Sequence, residues 1–266
     1  MKKFWGFLLV IVLMTSCGEY QSLLKSNDYN LVYKKAIEYY NKGDYQRAMN
    51  LLDGVRSVFV GQAKAQNIAY YRAFCSYNMK DYQIASDLFK QFIQTYPESS
   101  FAEECLYMMG FCDYKASPKP RLDQQVTEKA IREFQLYLNR YPYSMRKDKV
   151  NTYMDEMRDK LSYKAYLSAK NYYLREHYKA AVISLQNCLK DYPGSKYREE
   201  IMYMLFVSKY QMAVNSVEDK KVERYNNARE EYYYFADEYP NSRYAADVKK
   251  MYEDIEAYLE NYKFED

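Results

Sequence analysis

The sequence predicts an all-α protein, a row of helix hairpins packed one against the next. Three observations predict it. Segments ending in Tyr-Pro-x-Ser recur four times, in "FIQTYPESSF", "YLNRYPYSMR", "CLKDYPGSKY" and "FADEYPNSRY". Upstream of each, an alanine is followed four residues later by a large side chain, which is helical spacing. Only 7 Gly and 6 Pro occur in 266 residues, too few for a loop-rich or disordered chain.

The first element is not part of the fold. Lys2 and Lys3 precede the apolar run Phe4–Met14, and Thr15 and Ser16 follow it. This is the layout of a secretory signal peptide over residues 1–16, and it is far short of the ~20 residues that a membrane span needs. Met14-Thr15-Ser16-Cys17 resembles the lipobox of bacterial lipoproteins, with Met14 in place of the usual leucine. That resemblance implies cleavage before Cys17, a diacylglyceryl thioether on its sulfur and acylation of the new amine. Gly18 at the next position favours the outer membrane. Residues 17–28 are then a lipidated start and linker.

Residues 29–266 carry the repeats. Ala48, Ala85, Ala130, Ala181 and Ala228 are followed at the fourth residue by Leu52, Phe89, Phe134, Leu185 and Tyr232. A small residue one turn from a large one lets two helices approach and interlock. The prolines Pro97, Pro142, Pro193 and Pro240 each end a helix. Ser99, Ser144, Ser195 and Ser242 are placed to N-cap the next one. Glu103, Asp148, Glu199 and Asp247 then meet the positive end of its dipole. The first unit has Val60 where the proline should stand. The polar stretches "ASPKPRLDQQ" and "NSVEDKKVER" predict solvated loop insertions in the third and fifth units. The long fourth unit predicts an extended first helix, or an extra one, using Val150, Met154, Met157 and Leu161. Residues 242 to about 262 form a capping helix.

This pattern resembles the tetratricopeptide repeat, a helix pair of about 34 residues. The resemblance implies a right-handed superhelix of about five hairpins with a C-terminal capping helix. It also gives the 35 tyrosines a place. Tyr33 and Tyr40, Tyr70 and Tyr77, Tyr107 and Tyr114, Tyr166 and Tyr173, and Tyr203 and Tyr210 are pairs seven apart on the first helix of each unit. By the resemblance these positions face the concave groove, with Ile37, Phe74 and Phe111 between the first three pairs. Tyr33, Tyr40, Tyr70, Phe74, Tyr77, Tyr107 and Tyr114 are therefore the candidate peptide-binding groove, its phenols offering hydrogen bonds at the surface. The same tyrosines could instead serve only to pack helix on helix.

Composition narrows the function. Without Lys2 and Lys3 the 39 basic residues become 37 against 36 acidic, a net charge of +1, which is no footprint for nucleic acid. Cys105 and Cys112 would lie about 10.5 Å apart on one helix, beyond the ~7 Å reach of a disulfide. With Cys75 and Cys188 they read as buried thiols. His177 is the only histidine and no CxxC or HExxH occurs, so a metal site or a histidine-based catalytic centre is hard to build. Asp81, Glu103, Glu104 and Glu176 fall at helix ends without a matching base. No cofactor is expected, and a docking scaffold fits better than an enzyme.

Lipobox, five repeats, "YPGSKY" and "YPNSRY", and the stretches 122–144 and 158–182 together resemble the BamD (YfiO, ComL) family of outer-membrane assembly lipoproteins. "YPYSMR" departs from the pattern in lacking an aromatic after Ser144. The resemblance implies a subunit of the β-barrel assembly machine on the periplasmic side of the outer membrane. Its partners would be the POTRA domains of BamA and unfolded outer-membrane proteins. The alternatives are another periplasmic scaffold, in cell-envelope or peptidoglycan-linked assembly, and a small-ligand-binding lipoprotein.

Overall fold

A computed structural model describes residues 18–262, and all the regular secondary structure among them is helical. Residues 1–16, read from the sequence as a signal peptide, and Cys17 lie outside the described residues. Five hairpins follow one another: α1 (Tyr29–Asn41) with α2 (Tyr45–Val55), α3 (Ala63–Asn78) with α4 (Tyr82–Thr95), α5 (Ala102–Ala116) with α6 (Gln125–Arg140), α7 (Lys147–Leu174) with α8 (Tyr178–Asp191), and α9 (Arg198–Val214) with α10 (Glu218–Glu238). A last helix, α11 (Ala245–Tyr262), stands where the cap is expected. Neighbouring helices pack together, and α1 also meets α3 and α9 meets α11, so first helices touch across a hairpin. The residues group into two compact units. The first runs to Pro118 and from Asp123 to Met157; the second takes Lys119–Leu122 and everything from Arg158.

The repeat alanines Ala48, Ala85, Ala130, Ala181 and Ala228 are fully buried, as are Leu52, Phe89, Phe134 and Leu185. Burying each such large side chain is worth about 1.5–3 kcal/mol, and these pairs form the seams of the hairpins. The facing position on the first helix is Ala36, Ala73, Gly110 and Ala169 in four units, but Phe206 in the fifth. There the bulk changes sides, and Phe206 meets a half-buried Tyr232 at 6.2 Å between ring centroids. Cys75, Cys105, Cys112 and Cys188 are buried free thiols. Burial raises the Cys75 and Cys105 thiols to about 12 and Cys188 to about 11, so they stay protonated and inert.

Three local expectations are revised, and one pair of alternatives is decided in favour of the extended helix. Residues 18–24 are helical rather than linker, with Tyr20 and Leu23 buried in the first hairpin's core and Glu19 2.9 Å from Lys35. The extended fourth unit is one continuous 28-residue helix, α7. The "ASPKPRLDQQ" insertion is a loop over 117–124, but most of "NSVEDKKVER" is helical. It adds turns to the start of α10, where Glu218 and Asp219 suit the dipole and Val222 packs on the core. Finally, the motif serines do not cap in the expected register. Each helix begins three residues after its serine, and the hydroxyls of Ser99, Ser144, Ser195 and Ser242 accept from the backbone N–H two residues on, at 3.0–3.3 Å. The Tyr-Pro-x-Ser turn is thus a local side-chain turn placed ahead of the helix.

A second recurring turn joins the two helices of a hairpin. Gly43, Lys80 and Glu176 occupy the same place, at φ +81°, +67° and +60°. In each case the next residue's N–H reaches back to the carbonyl five residues earlier, as in Asp44 to Tyr39, Asp81 to Ser76 and His177 to Tyr172. This closes the spent helix end in the left-handed manner.

Candidate functional site

The seven candidate groove residues all lie in the first unit. α1 carries Tyr33 and Tyr40, α3 carries Tyr70, Phe74 and Tyr77, and α5 carries Tyr107 and Tyr114. Four-residue and three-residue spacings put the members of each helix on one stripe. The stripes meet because α1 touches α3 and the first helices repeat in register. The result is a ribbon of rings in contact. Tyr70 lies 4.5 Å from Phe74, Phe74 6.4 Å from Tyr77, and Tyr77 6.2 Å from Phe111. Phe111 stacks between Tyr107 and Tyr114, at 5.7 and 5.9 Å. Tyr153 of α7 continues the line, 4.4 Å from Tyr114. At the other end Tyr40 packs on Tyr71 at 4.9 Å, and Tyr71 touches Tyr70. Tyr33 stands apart from this line, against Phe59 and below the Lys64 ammonium. Phe111, Tyr71 and Tyr153 were not in the candidate set. Phe111 sits one turn from its tyrosines and was legible in the sequence; the other two are contributed by tertiary packing.

Three of the six groove phenols, Tyr40, Tyr70 and Tyr114, are tied to partners. The Tyr70 hydroxyl donates to Glu104 Oε2 at 2.8 Å, and the Tyr114 hydroxyl donates to Glu156 Oε2 at 2.5 Å. Asn78 Nδ2 donates to the Tyr40 hydroxyl. Tyr107 is buried, and the other six members are half-buried. Burial raises the Tyr40 phenol to about 12, and the bond to Glu156 raises Tyr114 to about 12. Burial also pushes Tyr70, Tyr77 and Tyr107 upward, so all five remain neutral at physiological pH. Glu104 is a shared node, since Arg146 lies 3.6 Å from it and 4.9 Å above the Tyr107 ring. The carboxylates at the starts of the first helices are likewise structural acceptors. Glu103 receives the hydroxyls of Tyr137 and Ser144, and Glu199 that of Ser242. The half-buried members of the ribbon present ring edge and face, which suits apolar and aromatic side chains.

A profile described as YfiO, outer membrane lipoprotein, matches residues 25–200 and 164–265, and so covers most of the chain. The chain belongs to the YfiO family. No curated protein matches it. Among solved structures, it is similar to the TPR2AB domain of yeast Sti1 in complex with pHSP90, at 14% identity and a TM-score of 0.39, covering 86% of this chain and 98% of that one. It is also similar to a TPR repeats protein from Bacteroides fragilis, at 12% identity and a TM-score of 0.41, covering 87% and 99%. The functional reading rests on YfiO membership and the chain's own geometry. Among the described residues no helix is long and apolar enough to cross a membrane.

Proposed function

We propose that this YfiO-family chain is a non-catalytic scaffold of the outer-membrane β-barrel assembly machine, held by lipid on Cys17 with its hairpins in the periplasm. It docks the POTRA domains of BamA. It also holds segments of unfolded outer-membrane proteins against Tyr33, Tyr40, Tyr70, Phe74 and Tyr77, with Tyr107 and Tyr114 extending the surface. The observation that carries this reading is the ring ribbon of the first unit. Its faces can receive the alternating aromatic residues of an extended strand, while main-chain groups of that strand supply its remaining bonds. Such recognition involves no covalent step, so release is easy.

A pull-down from detergent-solubilised membranes tests the class: co-purification of a large barrel protein with periplasmic repeats is expected, and its absence sinks the assignment. The anchor is tested by Cys17→Ala, which should abolish lipid labelling and free the protein from the membrane fraction. The groove is tested by pairing melting temperature with affinity for a last-strand peptide. Tyr77→Ala should weaken the peptide by about 1–2 kcal/mol and leave a folded protein. Tyr70→Phe, which removes only the bond to Glu104, should lower stability by about 1 kcal/mol and leave the peptide bound. Unchanged affinity in folded Tyr77→Ala would assign the ribbon to packing alone.

A further inference from the structure

The four Tyr-Pro-x-Ser turns are internal controls for one another, and one of them is different. The residues beside the serine at the tip of each turn are Glu98 and Ser100, Tyr143 and Met145, Gly194 and Lys196, and Asn241 and Arg243. Only the second turn places large apolar side chains there. Tyr143 is 98% exposed and Met145 103% exposed, so neither touches the body of the protein. Charge singles out the same turn. Over the ten residues from two before the proline, the net charges are −3, +3, −1 and −1 in chain order. The +3 arises from Arg140, Arg146, Lys147 and Lys149 against Asp148. Arg140 is tied to the Pro97 carbonyl and Arg146 faces Glu104, but Lys147 and Lys149 are exposed at the start of α7, the Lys149 ammonium 5.9 Å from the centroid of the Tyr153 ring.

Leaving two large side chains wholly in water forgoes the burial energy that the rest of the repeat collects. The shape is a convex tip flanked by cations, which fits a deformable, negatively charged, partly apolar surface better than a preformed pocket. Tyr and Met on a tip with adjacent lysines have the chemistry of an interfacial anchor, the ring at headgroup depth and the ammonium groups among phosphates. We infer that the 142–149 turn is a second membrane contact, in which Tyr143 and Met145 enter the headgroup region of an anionic phospholipid surface and Lys147 and Lys149 bind its phosphates. The inference rests on the lipid-anchored reading insofar as the Cys17 lipid supplies the nearby bilayer. Each surface lysine adds roughly 1 kcal/mol, or about fivefold, near such a surface.

The sole tryptophan of the chain is Trp5, in the segment read as a cleaved signal. Tyr143→Trp therefore gives the processed protein one indole at the turn, at a position with no packing to disturb. The lipidated protein is mixed with vesicles of phosphatidylcholine alone, or with phosphatidylglycerol added. Flotation reports the anchor, and indole emission and quenching by brominated acyl chains report the turn. Flotation with both vesicles, with blue-shifted and quenched emission on the anionic ones, is the expected result. Lys147→Glu with Lys149→Glu should reduce the quenching about tenfold or more. Flotation with solvent-like emission on anionic vesicles overturns the contact and leaves the anchor standing. Failure to float on phosphatidylcholine overturns the anchor, and emission on the anionic vesicles still decides the turn. Emission that moves only when solubilised envelope proteins are added assigns the tip to a protein partner and overturns the membrane contact.

Discussion

At the scale of single residues, the repeat shows its tolerances by where it departs from itself. Gly110 stands opposite Phe134, and a Cβ built on it would lie 2.8 Å from that ring. Phe134 is fully buried and has nowhere to retreat. Gly110→Ala should therefore lower stability by about 1–2 kcal/mol, overpacking outweighing the gain in helix propensity of about 1 kcal/mol. Gly54→Ala, with nothing within 4 Å of its Cβ, should do the opposite and gain up to about 1 kcal/mol. Both shifts are readable by urea titration. The left-handed turn position gives a second test. Lys80→Gly and Glu176→Gly should each stabilise by about 0.5–1 kcal/mol, since glycine relieves the strain of positive φ at a modest cost in chain entropy. Loss of stability at either would mean that its side chain makes a contact worth more than the strain. "KGDYQRA", "MKDYQIA" and "REHYKAA" display this position in the sequence, but the lysine and glutamate hide what the glycine reveals.

At the scale of helices, the seam between α4, α5 and α6 holds a buried charged cluster. Ser86 Oγ donates to Asp113 Oδ2 at 2.9 Å, and Lys129 Nζ lies 2.9 Å from the same oxygen and 3.7 Å from Glu133. Glu133 Oε2 has no hydrogen-bond partner. Burial, reinforced by Asp113, pushes the Glu133 carboxyl to about 8. Burial opposes the Lys129 charge, but Asp113 and Glu133 raise its pKa on balance. The folded state thus holds a proton on Glu133 that the unfolded chain releases near 4.5. Its contribution to stability is full below that value and is lost as pH rises toward 8. Glu133→Gln should flatten the melting temperature between pH 4.5 and 8 and raise it at pH 8; a pH profile unchanged by the substitution would place the proton elsewhere. In the fifth unit the equivalent slots hold Lys209 and Glu231, paired directly at 2.6 Å. The helices were legible because alanine spacing and proline stops act within a few residues. The cluster was not, because it draws on three helices, with Ser86 27 residues before Asp113 and 43 before Lys129, and its charges look individually like a solvated face. The helical start of α10 was hidden for the same reason, its polar composition outweighing the single half-buried Val222.

At the scale of the molecule, the division into two units predicts how damage spreads. Phe134→Ala should cost about 3–5 kcal/mol, and its loss of amide protection should concentrate in the first unit. Phe235→Ala, in the second unit's core, should cost a similar amount and expose amides there. Hydrogen exchange of the two variants checks this, and equal loss of protection throughout both units would show one cooperative block. The family was legible because lipobox, repeat length and Tyr-Pro-x-Ser are local strings. The fate of the groove phenols was not, because Glu104 and Glu156 lie 34 and 42 residues beyond their tyrosines.

Those phenol–carboxylate bonds have a mechanical side. Tyr70 ties α3 to α5 and Tyr114 ties α5 to α7, each rung skipping the helix between. Each rung therefore closes a loop of chain, the Tyr70 rung over 34 residues and the Tyr114 rung over 42. Under tension along the chain, the break of one rung can release no more than its own loop, roughly 120 Å for the shorter one, so the spacing of the rungs sets the length of slack given up at each break.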